Sequence, residues 1–428
     1  MENAPSHPPS SILHPRRIIV RGVNWLGDAV MTTPALLRLR EKFPAAHIAL
    51  LTPEKLADLW KHHAALDEVI PFRPEDTIWH IASKLRNSPS QVQEFVEGLQ
   101  AGRREFETVR EAIVRQTAAQ LELVELAMRS LQARIRNEFD LALVLPNSPR
   151  SALEVFFARI PQRVGYARPW RNFFLTQAVP PRAGAVKMQK RSESEINHLL
   201  ARLPTSNFQL PATAHQIYEY LHLAATLGAS PEPLAPQLAV TPEEIATAKK
   251  TFGLEKIASP IFGLNPGAEY GPAKRWPVEK FIAAAKEIQQ RSDCVWLIFG
   301  GKGDVELAAN MASGITNHES RITNLNLAGK TSLRELMALL KICRVLLTND
   351  TGPMHVAAAL GTPVVVPFGS TSPELTGPGL PGDARHRLLK SDAPCSPCFL
   401  RKCPIDFRCM NGISVERVVA AVVESLKG

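Results

Sequence analysis

Residue types suited to chemistry gather at four turns, each following an apolar run. Asp28 closes Trp25-Leu26-Gly27-Asp28, ahead of a helical pattern from Ala29 to about Phe43. A carboxylate there can act as a general base, or it can simply answer the helix dipole, which would hold its pKa down. Asn265 to Pro277 contains Gly267, Ala268, Gly271 and Lys274. The glycines let backbone approach a phosphate, and the ammonium can neutralise a diphosphate leaving group without a metal. Gly300-Gly301-Lys302-Gly303-Asp304 leads to Glu306, and either acid can take ribose hydroxyls or cap a helix. Asn349-Asp350-Thr351-Gly352 opens the small-residue helix that carries His355. Its first amides suit an anion, while Asp350 or Thr351 equally suits the role of N-cap.

Other signatures are missing or ambiguous. The turn after Val20 lacks the dinucleotide fingerprint, and the Lys274 loop lacks the P-loop pattern, which weakens an ATPase reading. Cys294 and Cys343 fall in or beside core elements. Cys395, Cys398, Cys403 and Cys409 crowd into the 395–409 segment. Four thiols so spaced can bind zinc or an iron–sulfur cluster, yet they match no standard ribbon and equally form a Cys-rich loop without metal.

The elements that must position these turns alternate strand and helix. Strands are expected at Arg17 to Val20, His47 to Leu51, Glu68 to Pro71 and Leu141 to Leu145. The second half repeats the pattern at Pro260 to Leu264, Val295 to Phe299, Asn324 to Leu327, Val345 to Leu347 and Pro363 to Pro367. Short apolar runs joined by helices indicate an α/β chain with two parallel sheets, whose strand ends line a cleft. Length alone favours two domains: 16–227 and 237–428, with 228–236 as the Pro-rich linker and 1–15 as a disordered tail. Residues 74–137 break the rhythm as a helical insertion, with Val114, Leu121, Val124, Met128, Leu131 and Ile135 on one seam. Such an arm packs on its own domain or makes a homo-oligomer.

Composition is that of a globular protein, with 45% hydrophobic and 21% charged residues and no signal peptide, so a cytoplasmic location is expected. The net charge of +9 is concentrated: 150–191 holds nine basic residues against one acidic, a local +8. Arg168-Pro169-Trp170-Arg171-Asn172-Phe173-Phe174 interleaves cations with aromatics there. That pattern suits an anionic sugar, a lipid surface or nucleic acid, or it is only a solvated face.

Taken together, these stretches resemble the ADP-heptose:lipopolysaccharide heptosyltransferases, and within them most closely the heptosyltransferase II branch. The resemblance rests on Trp25–Asp28, Val144–Ser148, Arg163–Tyr166, Asn265–Pro277 and Thr348–Leu360, and spans about 18–368. It implies a GT-B fold, with an N-terminal acceptor-binding and a C-terminal donor-binding Rossmann-like domain. It implies inverting transfer of heptose from ADP-heptose onto the first heptose of the inner core, with no cofactor or metal required; heptosyltransferase I or III activity is the alternative. By the same resemblance Asp28 is the general base and Lys274 the cation on the departing phosphate. Gly267, Ala268, Glu306, Asp350, Thr351, Gly352 and His355 fall to the donor. The basic segment then gains a partner in phosphorylated heptosyl-Kdo-lipid A at the inner-leaflet surface, and Asn147, Arg150, Arg163, Arg168 and Arg171 become acceptor contacts. A peripheral inner-membrane location is implied as well, and nucleic acid is not an expected partner. The reading of another class is a nucleotide- or nucleic-acid-binding protein without transferase activity.

Overall fold

The computed structural model describes residues 14–86, 138–201, 210–316 and 323–427. Two compact units emerge, and they do not follow chain order. The first comprises Met1–Gly22, Phe43–Glu54 and Leu66–Pro181; the second comprises Val23–Lys42, Lys55–Ala65 and Arg182–Gly428. Asp28 therefore groups with the C-terminal half, as does the stretch 228–236.

The first unit is built on β1 (Arg17–Arg21), β2 (His47–Pro53), β3 (Glu68–Phe72), β4 (Leu141–Val144), β5 (Gln162–Tyr166) and β6 (Gln177–Val179). They form one parallel sheet in the order β3-β2-β1-β4-β5-β6. Runs such as Ile18-Ile19-Val20 are apolar at consecutive positions because a parallel strand is covered on both faces, and all three are fully buried. Strand order reverses between β1 and β4, which makes the exposed turn Asn147 to Arg150 after β4 a switch-point loop.

The second sheet repeats that topology with β7 (Ile261–Asn265), β8 (Val295–Ile298), β9 (Asn324–Asn326), β10 (Leu346–Thr348), β11 (Val364–Phe368) and β12 (Arg387–Lys390), ordered β12-β11-β10-β7-β8-β9. Here the switch point falls between β7 and β10, which pair in parallel through Thr348 and Asn265. The loops after those two strands are the ones that carry Lys274 and Asp350.

Helix α1 (Leu26–Lys42) begins a turn earlier than its sequence pattern suggests, because the Ala29 amide already donates to Trp25 O at 2.8 Å. Asp28 is thus inside the first turn rather than ahead of it. Pro34 sits mid-helix. It cannot donate to Val30 O, and the Thr33 hydroxyl donates to that carbonyl instead at 2.8 Å. Of the expected 74–137 insertion, α2 (Ile78–Arg86) is described, while the seam from Val114 to Ile135 lies outside the described residues. The first unit also holds α3 (Pro149–Phe157), capped by Ser148, and the second holds α4 (Gly352–Ala359). Stretch 228–236 forms no helix or strand, and its Glu232 carbonyl accepts from Arg38 Nε on α1 at 2.9 Å.

Candidate active site

The second unit locks its two switch-point loops together before any reactive side chain is placed. Asn349, fully buried, accepts from the Trp276 amide at 2.9 Å and donates to Pro266 O at 2.7 Å. One amide side chain thus ties the turn after β10 to both ends of the loop after β7. Beyond it, Lys274 Nζ lies 2.7 Å from Asp350 Oδ2, and the Thr371 hydroxyl donates to the same oxygen at 2.5 Å. Both donors converge on Oδ2, so Oδ1 keeps no protein donor among the described residues. Asp350 is only 4% exposed, so its charge depends on these two partners.

Asp350 does not cap α4. The N-cap is Thr351, in extended conformation and without a side-chain cap bond, while Asp350 is drawn to Lys274 and Thr371. The first amides of α4 keep no side-chain cap. α1 packs against α4, and two glycines permit the closeness. A Cβ on Gly27 would sit 2.7 Å from His355 Cδ2, and one on Gly352 would sit 2.8 Å from Leu26 Cδ2. His355 is buried, and that burial pushes its pKa down to about 4, so its ring is neutral at pH 7.

Asp28 reaches this cluster from the first turn of α1. Burial pushes its carboxyl from 3.8 up to about 6; the Lys274 ammonium opposes the rise and the Asp350 charge adds to it. The helix dipole was expected to hold this pKa down. Desolvation outweighs it, and a carboxyl titrating near 6 is better placed to take a proton at neutral pH than an ordinary aspartate.

A second pair of acids separates on the same unit. Asp304 accepts from the Gly301 amide at 3.1 Å, meets Arg275 at 3.4 Å, and fills the space where a Gly267 Cβ would lie, at 2.5 Å. Glu306 is exposed in the first turn of helix Val305–Ile315. Gly267, against Asp304, and Ala268 are both buried. A cavity of about 310 Å³ opens alongside, with Pro266, Arg275, Trp276, Leu307, Phe407 and Met410 in its wall.

The Cys-rich segment braces these loops. The Phe399 amide donates to Ser370 O at 2.7 Å, Tyr270 Oη donates to Phe399 O at 2.7 Å, and the Ala273 amide donates to Arg401 O at 3.0 Å. Lys274 and Arg401 both lie over the Tyr270 ring, at 4.9 and 5.1 Å. Gly271, at φ +152°, is needed because a Cβ there would fall 2.5 Å from Arg401 O. Cys395, Cys398 and Cys409 are buried, and all six cysteines are free. Among the described residues no three His, Cys, Asp or Glu side chains are arranged to hold a metal ion, so the zinc or iron–sulfur alternative gains no geometry. Cys395 and Cys398 pack with Ile196 as small apolar side chains. Cys294 and Cys343 are core residues whose thiols burial pushes up, the first to about 11.

The expected acceptor residues lie on the first unit. Asn147 and Arg150 are exposed; Arg150 reaches Asp76 O at 2.6 Å and Glu154 at 3.2 Å. Arg163 donates to the carbonyls of Phe174 and Ile160. Arg168 lies over Tyr166, and Arg171 is fully buried, donating to Pro146 O at 2.6 Å with Nε and Nη2 unpartnered. Burial lowers the Arg171 pKa to about 10, with the Arg168 charge adding to the effect. Sequence reasoning passed over Thr371, Asn349 as a lock, and Tyr270; only the last two lie in stretches it had singled out.

Two six-stranded sheets of the same doubly wound order are the architecture of GT-B glycosyltransferases, and known proteins agree with that class. The pattern of glycosyltransferase family 9 (heptosyltransferase) matches residues 128–407. Lipooligosaccharide heptosyltransferase 2 of Haemophilus ducreyi is 30% identical over 370 residues, covering 85% of this chain and 86% of its own. Lipopolysaccharide heptosyltransferase 2 of Escherichia coli is 30% identical over 393 residues, covering 88% and 91%. The solved structure of E. coli ADP-heptose lipopolysaccharide heptosyltransferase II superposes with a TM-score of 0.64 at 25% identity, over 96% of this chain and 98% of that one. This chain belongs to glycosyltransferase family 9, the heptosyltransferases, and is a transferase of that family. The resemblance read from its motifs is borne out.

Proposed function

We propose that the chain moves heptose from ADP-L-glycero-D-manno-heptose onto the first heptose of the lipopolysaccharide inner core, with inversion at the anomeric carbon. The observation that carries this reading is the meeting of Asp28, Lys274 and Asp350 in one cluster, with Asp28 titrating near 6. Asp28 accepts the proton of the acceptor hydroxyl as the new C–O bond forms. The bond from the anomeric carbon to the diphosphate breaks, and the electron pair leaves with ADP, whose added negative charge Lys274 offsets. This work needs no metal. Thr351 and Gly352, with the uncapped amides of α4, suit the diphosphate, and Asp350 Oδ1 suits a sugar hydroxyl. His355, neutral and buried, supports the same helix start. Gly267 and Ala268 give the nucleotide close backbone approach. Asp304, beside them, suits the ribose better than Glu306, and the apolar cavity wall next to Arg275 suits a purine.

Asn147, Arg150, Arg163, Arg168 and Arg171 belong, on this reading, to the phosphorylated heptosyl-Kdo-lipid A acceptor. The sequence halves 16–227 and 237–428 divide acceptor from donor, although Asp28 keeps company with the donor residues. No helix among the described residues is long and apolar enough to cross a membrane, so the proposed inner-leaflet location would be peripheral. ADP release tests the donor. It should require ADP-heptose and a heptosylated acceptor together, and it should persist in excess chelator. Release from a uridine-diphosphate sugar, or loss of turnover on chelation, would overturn the reading.

Thr371 gives a finer check on the role of Asp350. Thr371→Val keeps the shape and removes one hydrogen bond, so kcat/KM should fall about fivefold to tenfold, the equivalent of ~1 kcal/mol. Thr371→Ser should recover most of it. Equal rates for the valine variant and the parent would show that the hydroxyl does not position Asp350.

A further inference from the structure

On the surface of the first unit, five aromatic rings touch in sequence. Trp79 on α2 meets Phe157 on α3 with centroids 4.3 Å apart, and Phe157 meets Phe156 at 5.4 Å. Phe156 meets Phe174 at 5.3 Å, and Phe174 meets Phe173 at 5.7 Å. Phe157 and Phe174, in the middle of the stripe, pack against the core of the first unit, and the ends reach solvent. Trp79 is 60% exposed at one end and Phe173 85% at the other, and Trp170, three residues before Phe173, is 89% exposed. Trp170 also holds φ at +64°, a conformation costly for an aromatic residue, at the tip of its turn. Soluble surfaces seldom leave two aromatic rings as exposed as Trp170 and Phe173 within one short turn without a partner.

Charge identifies the partner. Arg159, exposed, and Arg163 and Arg168, half-buried, lie near the Phe173 end in sequence, and none meets a carboxylate among the described residues. Arg163 lies 5.4 Å over the Phe156 ring, and both Arg163 and Arg168 donate to backbone carbonyls rather than to carboxylates. Asp76, just before α2, is already paired with Lys84 at 2.6 Å. Uncompensated arginines beside exposed Trp and Phe are what a negatively charged bilayer surface selects. The rings enter the headgroup boundary while the guanidinium groups face lipid phosphates.

We propose that this stripe, led by Trp170 and Phe173, docks the first unit on an anionic lipid surface. The inference adds a membrane contact to the acceptor reading above, and rests on it only for the reason such docking is useful: a lipid-anchored acceptor lies in that surface.

Flotation of the full-length protein with vesicles tests it. Phosphatidylcholine vesicles carrying phosphatidylglycerol should bind the protein, pure phosphatidylcholine vesicles should bind it at least ~10-fold less, and added salt should weaken the binding. The double variant Trp170→Ser, Phe173→Ser should lose at least ~10-fold in vesicle binding. It should keep the parent's ADP affinity and its rate on a deacylated, water-soluble acceptor. Unchanged flotation of the variant would overturn the proposal, as would a parent that ignores charged vesicles. A parent that sediments as a dimer, with the variant a monomer and vesicle binding intact, would assign the stripe to a second copy of the chain and overturn it too. Flotation as expected without turnover on any heptosylated acceptor would instead overturn the transfer reading and leave this one standing.

Discussion

Asp28→Asn is expected to lower turnover by about 10²–10⁴-fold, the range for loss of a general base, while ADP affinity changes by no more than about threefold. The amide keeps the size of the side chain and cannot take the acceptor proton. The parent enzyme should show an acid limb in kcat/KM centred near pH 6, because the base must be ionised to act. The same substitution should stabilise the fold. A carboxyl whose pKa rises from 3.8 to about 6 on folding binds protons more tightly in the native state, so native stability falls as pH rises through that window and stays lowered above it. Asparagine escapes this penalty. Its variant should be more stable by about 1–3 kcal/mol at pH 8, and the gain should shrink toward pH 4. Thermal melts at the two pH values read this directly. A variant that turns over normally, or that melts lower at pH 8 than at pH 4 relative to the parent, would remove Asp28 from the role of buried base.

Lys274→Met should cut kcat/KM by about 10²–10³-fold, since a preorganised cation on the leaving diphosphate is lost. Two further signs distinguish this from simple damage. Lys274 holds the Asp28 pKa down, so its removal should move the acid limb of the pH profile above that of the parent. Asp350, almost fully buried, would keep only the Thr371 hydroxyl as partner, which should lower stability at neutral pH more than in acid. ADP binding measured by calorimetry should weaken along with turnover. An unshifted acid limb with a normal rate would mean that Lys274 serves only the Asp350 ion pair.

The alternation of strands and helices was legible because parallel strands buried on both faces read as unbroken apolar runs. Ile18 to Val20 and Leu346-Leu347 are examples, and Gly or Pro punctuates the turns after them. The turns that hold Lys274 and Asp350 were legible for the same reason, as polar residues at the ends of such runs. The link between those turns was not. The Lys274–Asp350 contact depends on β7 and β10 being neighbours in the sheet, a fact of strand order that no local pattern encodes. Thr371 escaped notice because Gly369-Ser370-Thr371-Ser372-Pro373 reads as an ordinary turn, and only the fold brings its hydroxyl to Asp350. The direction of the Asp28 shift also required tertiary structure. Sequence shows the helix start that lowers a carboxyl pKa, but not the burial that outweighs it. Residue type alone left Asp304 and Glu306 equivalent and the resemblance favoured Glu306, whereas in the fold Asp304 lies against Gly267 and Glu306 is exposed.

Acceptor choice is the most direct test of the central reading. In one mixture with ADP-heptose, the protein should be offered Kdo2-lipid A and heptosyl-Kdo2-lipid A at equal concentration, and the products resolved by mass spectrometry. Only the heptosylated acceptor should gain one heptose, with an equal amount of ADP released. Transfer to Kdo2-lipid A instead, or no transfer to either, would contradict it.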